Sequence, residues 1–237
     1  MTGWKKLAIA LGVIGGLVHA AHAGPVGDFE AAMRQAYGDY RAALFATISG
    51  NAEKSTGAIE GFKAKWDALA AANMQPPPQY ADDPDYAATM ERVSKIAETA
   101  GDQAKDGKLA EAHETLEAIR NEIGALHERN DIVSFSDRMN AYHAKMEEIL
   151  SKDYVGFDAE GMSMLCEDAA VLAYLAEQIS SHPPADASDP AFGKLLSAMM
   201  DSVTTLTEAA RDGDAETAAA AVKGLKVPYS KLFVNFG

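Results

Sequence analysis

An internal repeat is the sequence feature that most constrains how this chain folds. A shift of 106 residues brings the two halves into register without a gap. A constant offset over such a length indicates two copies of one structural unit. The matched residues include Phe29 with Phe135, Met33 with Met139, Leu44 with Leu150, Gly50 with Gly156 and Leu126 with Leu232. We therefore predict two similar domains, at residues 24–131 and 134–237.

Helix-breaking residues divide each domain into four predicted helices. In the first domain, helix one covers 29–48 and ends near Gly50, and helix two covers 54–72 and ends before "MQPPPQY". Glycine readily adopts the left-handed conformation that ends many helices, and proline cannot continue a helix. We expect Asp83 to cap helix three, with Pro84 at the first helical position.

The fourth helix carries the clearest periodic pattern. Leu109, Leu116 and Ile123 lie on one face of "KLAEAHETLEAIRNEIGALHER", and a narrow apolar seam of this kind faces neighbouring helices. The patterns of β-strands and hairpins are scarce, which argues against a sheet. Short connections make consecutive helices antiparallel. The sequence therefore predicts an all-α fold of two tandem up-down-up-down four-helix bundles, with Ser134 capping the first helix of the second bundle.

Residues 1–23 have the pattern of a signal peptide. Lys5 and Lys6 precede the apolar run 7–18, and "AHA" at 21–23 offers small residues for cleavage. No later segment approaches the roughly 18 consecutive apolar residues that a membrane helix needs. We therefore expect a periplasmic protein that does not associate with the membrane after signal cleavage.

The charge of the chain limits its partners. The formal net charge is −14, and removal of Lys5 and Lys6 would make it −16. Such a charge argues against nucleic acid and anionic membranes, and it favours a basic redox partner protein or a cationic ligand. The acidic charge also has a simpler interpretation as a solubility device. The single cysteine, Cys166, cannot form an intramolecular disulfide.

Met33 and His127 form a candidate site in the first bundle. Met33 lies early in helix one and His127 near the end of helix four. Antiparallel neighbours place both within roughly 5 to 8 Å of the same bundle end, at 1.5 Å per residue. A thioether sulfur opposite an imidazole nitrogen is a ligand pair used for haem iron.

The segments "DFEAAM" and "GKLAEAHETLEAIRNEIGALH" resemble the soluble cytochrome b(562) family, a relative of the cytochrome c-prime family. The resemblance implies one non-covalent b-type haem between Met33 and His127, which would serve electron transfer rather than catalysis. Tyr86 and Met90 would pack on the porphyrin. Covalent c-type attachment is excluded because no Cys-x-x-Cys-His motif is present.

The sequence departs from this family in both domains. Phe233 stands where His127 stands in the first domain, so we expect no haem in the second bundle. "ERND" follows His127 where the family has an aromatic residue and an arginine. Two simpler interpretations remain open: Met33 can be a core residue, and His127 can be a solvated or capping residue at a helix C-terminus.

Two further hypotheses need no haem. The first is a copper or iron site, because His113 and Glu117 in "HETLE", like His143 and Glu147 in "HAKME", are four residues apart and share a helix face. The flanking ligands of this site would be Met139 and Met146. The second is a haem-free binding module for an apolar ligand or a protein partner. We expect no enzyme activity, since no Gly-rich phosphate loop, nucleophile elbow or HExxH motif is present.

Overall fold

The structure is a computed structural model that describes residues 24–237. The predicted signal peptide, residues 1–23, lies outside the described residues. Across 24–237 the regular structure is helical throughout, with no β-strand, which confirms the all-α prediction. In this range no helix is both long enough and apolar enough to cross a membrane.

Four α-helices form the first half of the described chain. They are α1 (Gly24–Ile48), α2 (Ala52–Ala72), α3 (Tyr86–Lys105) and α4 (Leu109–Arg129), with a 3-10 turn at Pro78–Tyr80 between α2 and α3. Helix α1 packs against α2 and α4, and α3 packs against the same two helices.

The second half repeats the order of the α-helices, but its 3-10 turn follows its first helix and its last helix is interrupted. It contains α5 (Phe135–Ser151), a 3-10 turn at Val155–Phe157, α6 (Ala159–Ser181), α7 (Pro190–Asp212), α8 (Ala215–Gly224) and α9 (Lys226–Phe236). Helices α8 and α9 together occupy the position of α4 in the first half. Pro228 lacks the N–H that would bond to the Gly224 carbonyl, which accounts for the interruption at Leu225.

The two halves repeat their turn chemistry at the offset found in the sequence. Gly50 and Gly156, 106 residues apart, have φ angles of +71° and +67°. Gly107 and Gly213, also 106 apart, have φ angles of +77° and +71°. These backbone conformations favour glycine because a Cβ would be strained there. Both pairs follow a helix and turn the chain toward the next one.

The helix starts confirm one capping prediction and correct another. Ser134 caps α5, and Asp137 completes a reciprocal capping box with it. The predicted start of α3 at Pro84 is wrong, because α3 begins at Tyr86 with Asp85 as its N-cap residue. Asp83 is buried instead, and it accepts hydrogen bonds from the Asp85 backbone, Arg129 and Asn130.

The predicted core positions are inside the protein. Leu116 and Ile123 are buried, and Leu109 is half-buried against the core. The side chain of Trp66 is fully buried, and its indole N–H donates to the Met90 carbonyl oxygen at 2.9 Å. Burial of side chains of this size is the main stabilising contribution to such a helical fold.

The first and last helices of one half meet the first and last helices of the other half. Asn140 on α5 donates to the Tyr37 hydroxyl on α1 at 3.2 Å. His127 near the end of α4 bonds to Asp137 on α5, with 2.7 Å between Nδ1 and Oδ2. Arg41 on α1 donates to the backbone carbonyl oxygen of Val234 on α9 at 3.3 Å. The two halves therefore pack together through α1 and α4 on one side and α5 and α9 on the other.

Candidate functional site: a cavity between the two halves

A cavity of about 460 Å³ opens where these four helices meet. Its size lies within the range of pockets that hold small organic molecules. Its lining comes from α1 (Arg41, Leu44, Phe45, Ile48), α4 (His113, Glu114, Glu117, Arg120), α5 (His143, Met146, Glu147) and α9 (Lys226, Tyr229, Ser230, Phe233, Val234). Both halves of the chain are therefore needed to build it.

The hydrogen bonds of His113 determine its tautomer. The Thr47 hydroxyl donates to the carbonyl oxygens of Ala43 and Leu44, so its oxygen accepts from His113 Nδ1 at 2.9 Å. The proton of the neutral ring is thus on Nδ1, and Nε2 carries the free lone pair. Burial lowers the pKa of His113 below its ordinary value. At neutral pH this side chain offers an acceptor to the cavity.

His143 has the opposite tautomer. Arg120 donates to His143 Nδ1, and a guanidinium has only donors, so Nδ1 must be the acceptor. The ring proton is therefore on Nε2, which lies 3.5 Å from Oε1 of Glu147. Burial and the positive charge of Arg120 lower the pKa of His143. The ring also stacks on Tyr229, with centroids 5.3 Å apart.

The cations that line the cavity are already paired within the protein. Arg120, whose side chain is only 11% exposed, donates to both Glu117 and His143. Arg41 donates to three carbonyl oxygens near the end of α9, at residues 234, 235 and 237. Lys226 donates to Oε1 of Glu147 at 2.9 Å. Each of these cations is therefore engaged within the protein, and the Arg120 Nε–H, which has no partner, is buried.

Some acceptor groups that line the cavity have no partner within the protein. Glu114 is exposed at the rim, and its carboxylate makes no hydrogen bond or ion pair with any other residue of 24–237. Nε2 of His113 lies 3.7 Å from Oε1 of Glu117, beyond hydrogen-bond distance. A lone pair and a negative charge are therefore available to a ligand in the cavity.

The cavity also has apolar walls. Leu44, Met146 and Phe233 are buried in its walls, while Phe45 and Ile48 form an exposed lip, at 56% and 67% of their full exposure. Exposed large apolar side chains beside a concave opening are typical of a binding site. The arrangement suits a molecule with one polar end and an apolar body.

All four residues of the predicted haem site are buried in the first half. Met33, Tyr86, Met90 and His127 are each at most 5% exposed. His127 is therefore not the solvated helix-end residue that one interpretation expected. Its Nδ1 bonds to the Asp137 carboxylate, and its Nε2 is buried without a hydrogen-bond partner. Although burial raises the pKa of Asp137, hydrogen bonds from His127 and Ser134 lower it below its ordinary value.

The hydrogen bonding of His127 suits a ligand of haem iron, but aromatic side chains pack closely around the imidazole. A histidine that ligates a metal usually holds a carboxylate with its other nitrogen, as His127 holds Asp137. The Tyr80 ring, however, lies over the His127 ring, with centroids 6.5 Å apart and planes 12° apart. Tyr80 also packs against Phe29 at 5.4 Å and Tyr86 at 5.6 Å. Aromatic side chains thus already pack over one face of the imidazole.

The residues of the predicted metal site are only partly brought together. His113, Glu117, His143, Glu147 and Met146 all line the cavity between the halves. Within the described chain, however, no group of three or more histidine, cysteine or acidic side chains has metal-binding geometry.

Two of the proposed metal ligands are committed elsewhere. The lone pair of His143 is held by Arg120, and Met139 is fully buried in the hydrophobic core. The copper or iron hypothesis stays a prediction without geometric support.

Sequence reasoning missed the polar face of α4. His113, Glu117, Arg120, Gly124 and His127 follow one another at spacings of four and three, parallel to the apolar seam. All five line openings between α4 and the second half. A second periodic stripe on one helix indicates a second packing surface, and this signal was present in the sequence.

Comparison of the chain with family models, with curated proteins and with solved structures finds no match. The resemblance to the cytochrome b(562) family therefore stays a prediction that depends on the quoted segments alone.

Proposed function

We propose that the protein is an exported binding protein that holds a small amphipathic molecule in the cavity between its two halves. In this proposal each half is an up-down-up-down four-helix bundle, and residues 1–23 direct export to the periplasm. The contacts of α1 with α2 and α4, and of α3 with the same helices, support the bundle arrangement in the first half. The protein binds its ligand without converting it.

The observation that carries this proposal is the composition of the cavity. Two neutral imidazoles and the ion-paired Arg120 line the cavity together with apolar side chains. Burial of a polar cluster costs free energy of desolvation. Well-packed apolar residues would stabilise the contact between the halves at least as well. The purpose that fits an open cavity is ligand recognition.

Nuclear magnetic resonance titration of the full chain tests the proposal. Phenethylamine, phenethyl alcohol and phenylacetate share an apolar body and differ in charge. We expect at least one of them to shift the amide signals of residues around His113, Arg120 and Tyr229. Ser230 lines the cavity, so Ser230→Phe should fill it and abolish these shifts.

Ser230→Ala is the matched control, because it changes the same position and leaves the cavity open. Both variants should keep the wild-type far-ultraviolet circular dichroism. Shifts that persist in Ser230→Phe, or the absence of shifts with all three compounds, would contradict the proposal.

A second candidate is the binding of one b-type haem at Met33 and His127. The buried, unpartnered Nε2 of His127 and the carboxylate that holds Nδ1 favour it. When bound, the haem would supply a reversible one-electron couple, and a basic partner protein would complement the acidic surface. His127 would offer Nε2, Met33 would offer its sulfur, and Asp137 would keep the imidazole in the required tautomer.

Absorption spectroscopy after haem-supplemented expression tests this candidate. This candidate predicts a Soret band at one haem per chain, which His127→Ala and Met33→Ala should weaken. Phe233→Ala, at the matching position of the second half, is the control and should leave the stoichiometry unchanged. A Soret band that is absent, or that persists in both ligand variants, would reject the assignment.

A further inference from the structure

We infer that the cavity between the two halves selects an organic amine, that is, an ammonium group carried on an apolar body. This inference rests on the proposed function and names the chemical class of its ligand. It depends on which hydrogen-bonding groups at the cavity remain free.

Two groups that line the cavity offer acceptors without a partner in the protein. His113 presents the lone pair of Nε2, because Thr47 fixes its proton on Nδ1. The Glu114 carboxylate has no partner within 24–237. An ammonium group has three donors and no acceptor, so it is the complement of these two groups.

An anionic ligand would meet the reverse situation. A carboxylate ligand would compete with the carbonyl, carboxylate and imidazole partners that Arg41 and Arg120 already hold. Such a ligand would also lie close to Glu114 and Glu117. Like charges at this distance repel each other, and the acidic net charge of the chain adds to that repulsion.

The walls favour a cation with an apolar body over a small inorganic cation. Phe45, exposed at the lip of the cavity, supplies an aromatic ring, and the negative face of such a ring attracts organic cations. Leu44 and Phe233 offer apolar surface to the remainder of the molecule. A bare metal ion would leave this surface exposed to water and would find too few ligands.

Isothermal titration of the full chain with phenethylamine, phenethyl alcohol and phenylacetate tests the inference. We expect phenethylamine to bind at least about tenfold more tightly than phenylacetate, and more tightly than the neutral alcohol. Glu114→Gln should weaken phenethylamine binding about two- to fivefold without changing the binding of the alcohol.

Glu111→Gln provides the matched control for Glu114→Gln. Glu111 is an exposed residue of the same helix that does not line the cavity, so its substitution removes one charge and should leave the affinity unchanged. Lys226→Met should act in the opposite direction, because it frees the Glu147 carboxylate. We expect about a twofold gain for the amine.

The outcomes separate the two proposals. If the alcohol or phenylacetate binds as tightly as the amine and Ser230→Phe still abolishes binding, the amine inference is wrong and the proposed function stands. If none of the three compounds binds in a manner sensitive to Ser230→Phe, the proposed function itself fails. The ranking of the compounds on the wild-type chain needs no variant, so it holds even if one substitution impairs folding.

Discussion

The two halves of the chain share positions of helices and turns but differ in what they bury. Phe62 is fully buried among aromatic rings in the first half, whereas its counterpart 106 residues later is Asp168. Asp168 is held by Lys145, Lys152 and the Tyr154 hydroxyl at 2.7 to 2.9 Å. The repeated pattern therefore fixes where helices pack, while the chemistry of a given core position is free to change.

The surfaces that meet between the halves differ even more. Arg41 matches Glu147 under the 106-residue offset, and Arg120 matches Lys226. All four line the same cavity. Two halves of matching helix order thus meet to form an asymmetric site, which a contact between identical surfaces could not provide.

The largest expected effect concerns the cores. Trp66→Ala should lower the free energy of unfolding by about 3–5 kcal/mol, because it empties a fully buried volume and leaves the Met90 carbonyl oxygen without its indole donor. The matched variant is Leu172→Ala at the corresponding position, where roughly 2–4 kcal/mol is expected. Denaturant unfolding followed by circular dichroism measures both. Equal losses would show that the aromatic core of the first half contributes no more to stability than the core of the second half.

The next largest effect is expected at Asp168, the buried carboxylate of the second half. Asp168→Ala should cost roughly 2–3 kcal/mol, because it leaves Lys145, Lys152 and Tyr154 without their common partner. Phe62→Leu, at the corresponding apolar position, should cost about 1 kcal/mol. An Asp168 variant as stable as the wild type would show that the cluster does not contribute to folding.

The same cluster should make the second half sensitive to acid. Burial raises the pKa of Asp168, but its hydrogen bonds with the two lysines and Tyr154 lower it below its ordinary value of 3.8. A lowered folded-state pKa contributes stability that is fully present above 3.8 and is lost as the pH falls through the folded value. Unfolding free energies measured between neutral and acidic pH should therefore fall less steeply in Asp168→Ala than in the wild type.

The junction between the halves should show a smaller effect. His127→Phe, which copies the residue at the matching position 233, should cost about 1–3 kcal/mol because the half-buried Asp137 loses its imidazole partner. Phe233→Leu should cost less, since it breaks no hydrogen bond. Differential scanning calorimetry of both variants measures the difference. A neutral His127→Phe would show that the bond does not hold the halves together.

The smallest effects concern the repeated turns. Gly50→Ala and Gly156→Ala should each cost about 1 kcal/mol, because alanine is strained at positive φ. A Cβ at either position would meet no atom within 4 Å, so backbone strain is the only expected contribution. Thermal unfolding should give similar losses for the two. A clear difference would show that the matched turns are not energetically equivalent.

Much of the fold could be predicted because helix signals are local. The apolar seam of α4, the Ser134 cap and the breaker after α2 depend on residues within a few positions of each other. The start of α3 was misplaced because the capping pattern at Asp83 resembles a true cap. Asp83 is held instead by Arg129 and Asn130, which lie more than 40 residues away in the sequence.

By itself the sequence determined that the chain is helical and that its pattern occurs twice, since periodicity and glycine positions depend on local backbone geometry. Only the tertiary structure decided which polar residues meet. His113 and His143 were recognised as separate pairs with their neighbouring glutamates, and the packing of α1 and α4 against α5 and α9 placed them around one cavity with Arg120 between them. Contacts between helices distant in the chain depend on how two surfaces fit together. No local pattern specifies that fit, which is why the site emerged from the structure.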